Sequence, residues 1–270
     1  MISTHNAHRV EHNMEDAFFE NSRVDALVME RLTSSPYIMN MYAHCGMTVA
    51  TDFASKTVSD VANKLNSTQK LTLAIQATQG LADLHAVGSL GRSALVHNDI
   101  NLANLMVSED GRPVLNDFNI AILLTKNKDT GETCPFVAHF PNPQWRAPEE
   151  QVENTESPDE APNGVALPLV DEKIDVYALG NLYYRLAVGS SPWKAKGTVR
   201  LSLEDKNEVA RLKKFNGSLP EVPDEIRDSE DHVTQILLKA MHSSYQWKPS
   251  DRPTASELLN LLEQEASTVQ

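Results

Sequence analysis

The chain has 270 residues, 41% apolar and 23% charged, enough for one large domain or two unequal lobes around a sizeable core. Acids outnumber bases 37 to 24, for a formal charge of −13, which argues against a nucleic acid or an anionic membrane held by general electrostatics. Cys45 and Cys134 form no C-x-x-C pair, the polar start "MISTHNAHRVEHNMED" has no signal core, and no apolar run could span a bilayer. A reduced, intracellular setting is expected, cytoplasmic with the nucleus also open.

In chain order, Val24, Leu27, Val28 and Leu32 fall on one face at helical spacing, and Pro36 closes that region. The stretch "YIMNMYAHCGMTVATDFA" is rich in β-branched and aromatic residues and is broken by Gly46, which predicts two short strands and a turn. Leu71, Ala74, Ile75, Leu81 and Leu84 predict an amphipathic helix over residues 67 to 86. From Thr125 to Pro143 no period holds, which predicts a long loop. The acidic, proline-rich stretch from residue 153 to 172 reads as a solvated insertion. "KIDVYALGNLYYRLAVG" predicts a buried helix, and "DHVTQILLKAMH" and "TASELLNLLEQE" predict amphipathic ones. Thr254 and Glu257 are spaced as a capping box at the start of the last.

The segment from Val96 to Asn119, "VHNDINLANLMVSEDGRPVLNDFN", carries most of the chemistry. It reads as loop, short strand, turn at "SEDG" and second strand. It places Asp99, then Asn104, then Asp117, so two acids and an amide share one local unit. His97-Asn98-Asp99, Asn104, Asp117-Phe118-Asn119 and Ala147-Pro148-Glu149 together resemble the eukaryotic protein kinase signature H-R-D, a following Asn, D-F-G and A-P-E. Asp175-Val176-Tyr177-Ala178-Leu179-Gly180 is similar to the family's D-x-W-x-x-G helix start. "KPSDRPTASELL" is similar to its closing segment. The likeness runs from about Arg23 to Leu262.

The resemblance implies an α+β, bilobal protein-kinase-like fold with a truncated small N-lobe and a mostly helical C-lobe. Its expected parts are a partial N-lobe over residues 1–51, a hinge over 52–55 and a C-lobe over 56–265. It implies ATP and Mg²⁺ as cofactors and phosphoryl transfer to a protein hydroxyl, serine or threonine on base rate. Asp99 would orient the acceptor hydroxyl, and Asn104 and Asp117 would ligate the metal. Thr51 would be the gatekeeper, Asp52-Phe53-Ala54 the hinge for the adenine edge, and Met106 the floor under the ring. His97 and Phe118 would stack beside the site. Glu149 would pair with Arg252, and Asp175 would hold the catalytic-loop backbone.

Several positions depart from the family. The first glycine is Gly46 and the first lysine Lys56, so the G-x-G-x-x-G loop and the phosphate-gripping strand lysine are missing. That lysine would fall near Ser3, with Arg9 a weak substitute, and its glutamate partner at Asp25, one methylene shorter. Asn98 replaces the H-R-D arginine, Asn101 the γ-phosphate lysine and Asn119 the D-F-G glycine, the last a residue that tolerates positive φ. These losses leave a pseudokinase scaffold as an alternative. A small-molecule phosphotransferase is a third reading, against which the A-P-E glutamate and its arginine stand. His5, His8 and His12 could share a helical face for Zn²⁺, or be exposed polar residues.

Overall fold

The computed structural model describes residues 3–4, 16–87, 95–125, 129, 136, 144–151, 170–193, 202, 209–210, 214 and 216–268. His5, His8, His12, Arg9, Cys134, the acidic stretch before Val170 and most of the segment from Thr125 to Pro143 lie outside them.

The architecture is α+β, with small sheets gathered in the first half and helices filling the second. β1 (Ser3–Thr4), β2 (Met41–Cys45) and β3 (Thr48–Thr51) form one antiparallel sheet in the order β1-β3-β2. Gly46 makes the turn between β2 and β3 at φ 60°, a left-handed conformation that glycine adopts without a Cβ penalty. Ser3, where the family's strand lysine was expected, stands opposite Thr51 in this sheet. α1 (Asp16–Arg31) packs on β2 and β3. It begins earlier than the apolar spacing predicts, because Phe18 and Phe19 lie on its exposed side and carry no inward period.

β4 (Lys56–Thr57), β6 (Leu105–Val107) and β7 (Pro113–Leu115) form a second sheet, with α2 (Val58–Val61) following β4. β5 (Leu95–Val96) pairs with β8 (Ile122–Leu123), which brings the two ends of the Asp99–Asp117 segment together. The first half is tied to this unit by backbone: Met39 N donates to Leu115 O at 2.8 Å and Leu115 N to Tyr37 O at 2.8 Å.

α3 (Ser67–His85) opens on an Asn66–Gln69 capping box and buries Leu71, Ala74, Ala77, Leu81 and Leu84. α4 (Lys173–Val188) is buried along nearly its whole length and ends on Gly189 at φ 78°. α5 (Asp224–Arg227) leads into α6 (His232–Ser244) and α7 (Ala255–Ser267). The expected capping box of α7 is present, Glu257 N donating to Thr254 Oγ1 at 3.1 Å and Thr254 N to Glu257 Oε2 at 2.8 Å.

α4 packs on α6, and α3 packs on α7. The α4–α6 approach depends on Gly180, where an added Cβ would lie 2.8 Å from Tyr245 Cε1 and 3.2 Å from Ser244 Cβ. Tyr245 cannot swing away, because its hydroxyl donates to Asn181 Oδ1 at 2.8 Å. Gly180→Ala is therefore expected to lower stability by about 1–3 kcal/mol, read from urea unfolding. A change within 0.5 kcal/mol would mean that the helices separate at little cost.

Candidate active site

The buried start of α4 organises the site. Asp175, 1% exposed, accepts from His97 N at 2.7 Å and Asn98 N at 3.0 Å, and His85 Nε2 lies 3.0 Å from its Oδ2. One carboxylate thus fixes two successive peptides of the loop. Between them the chain turns left-handed at Asn98, φ 64°. Asparagine tolerates that conformation better than most non-glycine residues, and its Nδ2 donates to Ile120 O at 3.2 Å.

Asp99 follows. Its Oδ2 accepts from Asn104 Nδ2 at 2.9 Å, and its Oδ1 lies 3.3 Å from Arg146 Nη2. Its carbonyl accepts from Asn104 Nδ2 at 2.9 Å and from Asn101 Nδ2 at 3.2 Å. Asn101 also caps the loop, its Oδ1 accepting from Ala103 N at 2.8 Å and Asn104 N at 3.1 Å. Both amides thus close the turn from Asp99 to Asn104. With the Asn104 NH₂ committed to Asp99, its Oδ1 is the atom left for another ligand.

Asp117 comes up on the other side, after β7, where Asn116 N donates to Asn104 O at 2.9 Å. It is left-handed at φ 65°. Positive φ was the expected burden of Asn119, but the described non-glycine residues that carry it are Asn98, Asp117 and, away from this loop, Trp193, so the D-F-G glycine's freedom is not used at Asn119. Non-glycine residues at positive φ store strain that the surroundings must hold. Here the hold is on Phe118, whose side chain is fully buried 4.9 Å from the His97 ring and whose backbone N–H donates to Asp25 Oδ1 at 2.7 Å.

Asp25 on α1 therefore reaches the site, but it meets a peptide N–H and the Asp117 charge where the family offers a lysine. Burial pushes its carboxyl up to about 6, and Asp117 adds to this, while the Phe118 N–H and His44 pull it down. Its folded pKa lies above the unfolded value of 3.8, so its contribution to stability is present below about pH 4 and is lost as pH rises through about 6. Asp25→Asn is expected to stabilise the chain by about 1–3 kcal/mol at pH 7.5 and by almost nothing at pH 4. Urea unfolding at both pH values checks this, and an equal effect at both would rule out the burial cost.

Arg146 is the residue that spacing alone did not find. Buried in front of the A-P-E element, it donates from Nη1 to the Asn98 carbonyl and to Glu150 Oε1 at 3.2 Å, and from Nη2 to Asp99. The catalytic loop, which by sequence has lost its own arginine and lysine, thus receives a guanidinium from 47 residues away. Burial pushes the Glu150 carboxyl up to about 7, although Arg146 and the Ala147 N–H oppose it. Glu149 meets Arg252 in a two-pronged pair at 2.5 and 2.8 Å.

The remaining expected positions are placed as follows. Thr51 is buried and donates from Oγ1 to Asp52 O at 3.2 Å, and Asp52 N donates to Asn40 O at 3.1 Å. The Asp52 side chain accepts from the Tyr42 hydroxyl. Ala54 follows, partly buried. Met106 is buried on β6 opposite Val114.

The family model described as "Protein kinase domain" matches residues 6–261. The chain belongs to the protein kinase family. Among its relatives are probable serine/threonine-protein kinase iksA of Dictyostelium discoideum, 27% identical over 65% of this chain and 19% of that one, and serine/threonine-protein kinase BCK1/SLK1/SSP31 of Saccharomyces cerevisiae, 27% identical over 70% of this chain and 10% of that one. Serine/threonine-protein kinase ENV7 of the same yeast is 24% identical over 78% of this chain and 53% of its own length. The chain thus spans less than a fifth of the first of these relatives and about half of the last. By this membership it resembles phosphotransferases. Among the described residues, no helix is long and apolar enough to cross a membrane.

Proposed function

We propose that the chain catalyses Mg·ATP-dependent phosphoryl transfer to a serine or threonine hydroxyl of a protein. One observation supports this most: Asp99 is held on both carboxylate oxygens by Asn104 and Arg146 while Asp117 is carried on a turn beside them. A loop with only a structural role has no need to orient an acid on both oxygens. The acceptor class leans on the relatives, which are named as serine/threonine kinases.

The donor set fits the cofactor. Among the described residues no three His, Cys, Asp or Glu side chains group as a metal cage. Mg²⁺ commonly takes one or two carboxylates, with phosphate oxygens and water completing its shell. Asp117 and the Asn104 Oδ1 would hold it on that pattern. When bound, the ion neutralises phosphate charge. Asp99 would orient the acceptor hydroxyl and take its proton. Asp52 and Ala54 would meet the adenine edge through backbone groups, next to Thr51 and above Met106. Among the described residues the Ala54 N–H makes no hydrogen bond, which suits a hinge donor. This reading divides the chain into a partial N-lobe (1–51), a hinge (52–55) and a C-lobe (56–265) carrying the acidic insertion at 153–172.

One observation favours the pseudokinase alternative. Asp25 faces Phe118 N–H where the family has an ion pair, and the first lysine of the chain is Lys56. Loss of one preorganised cation costs about 10²–10³ in rate. Titration of Mg·ATP by calorimetry tests the two readings. Saturable binding that Asp117→Asn weakens at least tenfold supports the enzyme. A folded chain that binds no nucleotide at millimolar concentration is a binding module.

A further inference from the structure

The structure assigns a second ligand site to this chain: the cavity between Pro148, α4, α6, Lys214 and the turn of residues 217–219, suited to a small organic carboxylate with an aromatic body. The cavity measures about 260 Å³. That is room for about ten to seventeen non-hydrogen atoms at roughly 15–25 Å³ each.

Its lining is unusual for this chain. Acids exceed bases 37 to 24 overall, yet among the described residues no Asp or Glu lines the cavity, while Lys214 and His242 do. The carboxylates that follow Pro148 are already engaged, Glu149 with Arg252 and Glu150 with Arg146. Pro148, Tyr245, Leu219 and Trp247 supply apolar wall, and the last two are 42% and 44% exposed. One end is therefore suited to an anion and the other to a ring.

Tyr177 gives an independent indication. Three other buried tyrosines have their hydroxyls bonded: Tyr183 to Thr78 at 2.6 Å, Tyr184 to Glu221 O at 2.7 Å and Tyr245 to Asn181 at 2.8 Å. The Tyr177 ring is held equally firmly, 4.8 Å from Tyr245, 4.9 Å from the Arg252 guanidinium and 5.2 Å from Lys214 Nζ. It is 2% exposed and lines the cavity, yet its hydroxyl has no hydrogen-bond partner among the described residues. Nor is that oxygen among the sealed unsatisfied atoms, which are Arg185 Nε and Trp193 Nε1. It therefore touches solvent, and the cavity is the solvent on which Tyr177 borders. A buried phenol without a partner is a donor waiting for an acceptor.

Lys214 adds the charge and a route to the catalytic loop. Its ammonium donates to Gln144 O at 3.2 Å and Arg146 O at 2.5 Å, and it lies 4.9 Å from the Trp193 ring. Burial pushes its pKa well down. An anion in the cavity offsets that burial and favours the charged amine. Arg146, whose carbonyl Lys214 holds, bonds Asn98 and Asp99 through its side chain.

The test is a titration of the whole chain with 3-phenylpropionate, followed by calorimetry and by NMR of labelled tyrosine rings. Its comparator is 3-phenylpropan-1-ol, the same body without the charge. The expected result is one saturable site with a Kd of about 0.1–1 mM, at least tenfold weaker binding of the alcohol, and about five- to tenfold weaker binding of the acid by Tyr177→Phe. Equal binding of acid and alcohol, no saturation by 10 mM (roughly ten times the expected Kd), or an indifferent Tyr177→Phe would each overturn the site. Should Tyr177→Phe not fold, Ser218→Trp at the exposed rim fills the cavity, and acid binding that survives it overturns the site equally. Binding is read directly, so the outcome does not depend on phosphoryl transfer.

Discussion

Arg252→Met is expected to destabilise the chain by about 3–5 kcal/mol, read as a fall in the urea midpoint at unchanged m. Arg252 is fully buried among its partners. Besides both oxygens of Glu149, it donates to Gln246 O at 2.8 Å, Lys173 O at 3.1 Å and Trp247 O at 3.2 Å. Methionine fills much of the volume but leaves a part-buried carboxylate and three carbonyls without their donor. Arg252→Lys keeps the charge and loses the fork, so it should recover only part of the loss. Glu149→Leu combined with Arg252→Met should cost less than the sum of the single changes, because the uncompensated charge disappears. Single losses below 1 kcal/mol would show that the pair contributes little to anchoring the A-P-E turn.

The fold was legible where burial repeats along the chain. α3, α6 and α7 each turn one apolar face inward, and their capping residues Asn66, Asp231 and Thr254 mark where they begin. The β2–β3 hairpin was legible through Gly46. The strands β1, β4, β5 and β8 were not, because each is two residues long and two residues have no period. They are made by tertiary pairing, as when β5 and β8 close the ends of the catalytic segment. The start of α1 was hidden for a related reason: its first described side chains face outward, and a helix face with no burial gives no signal.

The site divides in the same way. Local spacing carried Asp99, Asn104 and Asp117, since all three lie on one loop–hairpin unit. Asp175 and Arg252 were found only because the family resemblance links distant motifs. Arg146 was missed because one arginine in "QWRAPEE" has no period, and its partners Asn98 and Asp99 are close only after folding. The positive φ at Asp117 was missed because sequence comparison suggests strain where a glycine is replaced, and here the chain turns two residues earlier.

Asp99→Asn is expected to lower phosphoryl transfer by about 10²–10⁴ with less than a twofold change in nucleotide affinity. The substitution is isosteric, but it removes the base and reverses one hydrogen bond. Asp99 accepts from Arg146 on one oxygen and from Asn104 on the other, so an amide NH₂ must face one of these donors. Arg146→Met separates orientation from chemistry. It leaves the Asp99 carboxylate in place, 35% exposed in the present structure, and removes the cation that fixes it to the Asn98 carbonyl. That change is expected to lower kcat about 10- to 100-fold and to leave transfer measurable, because the base is kept and only its orientation is lost. Asp99→Asn should lose more than Arg146→Met, because the base itself is gone. If both variants lose rate equally, Asp99 serves only as a turn residue, and the transfer chemistry must rest on other groups of the loop.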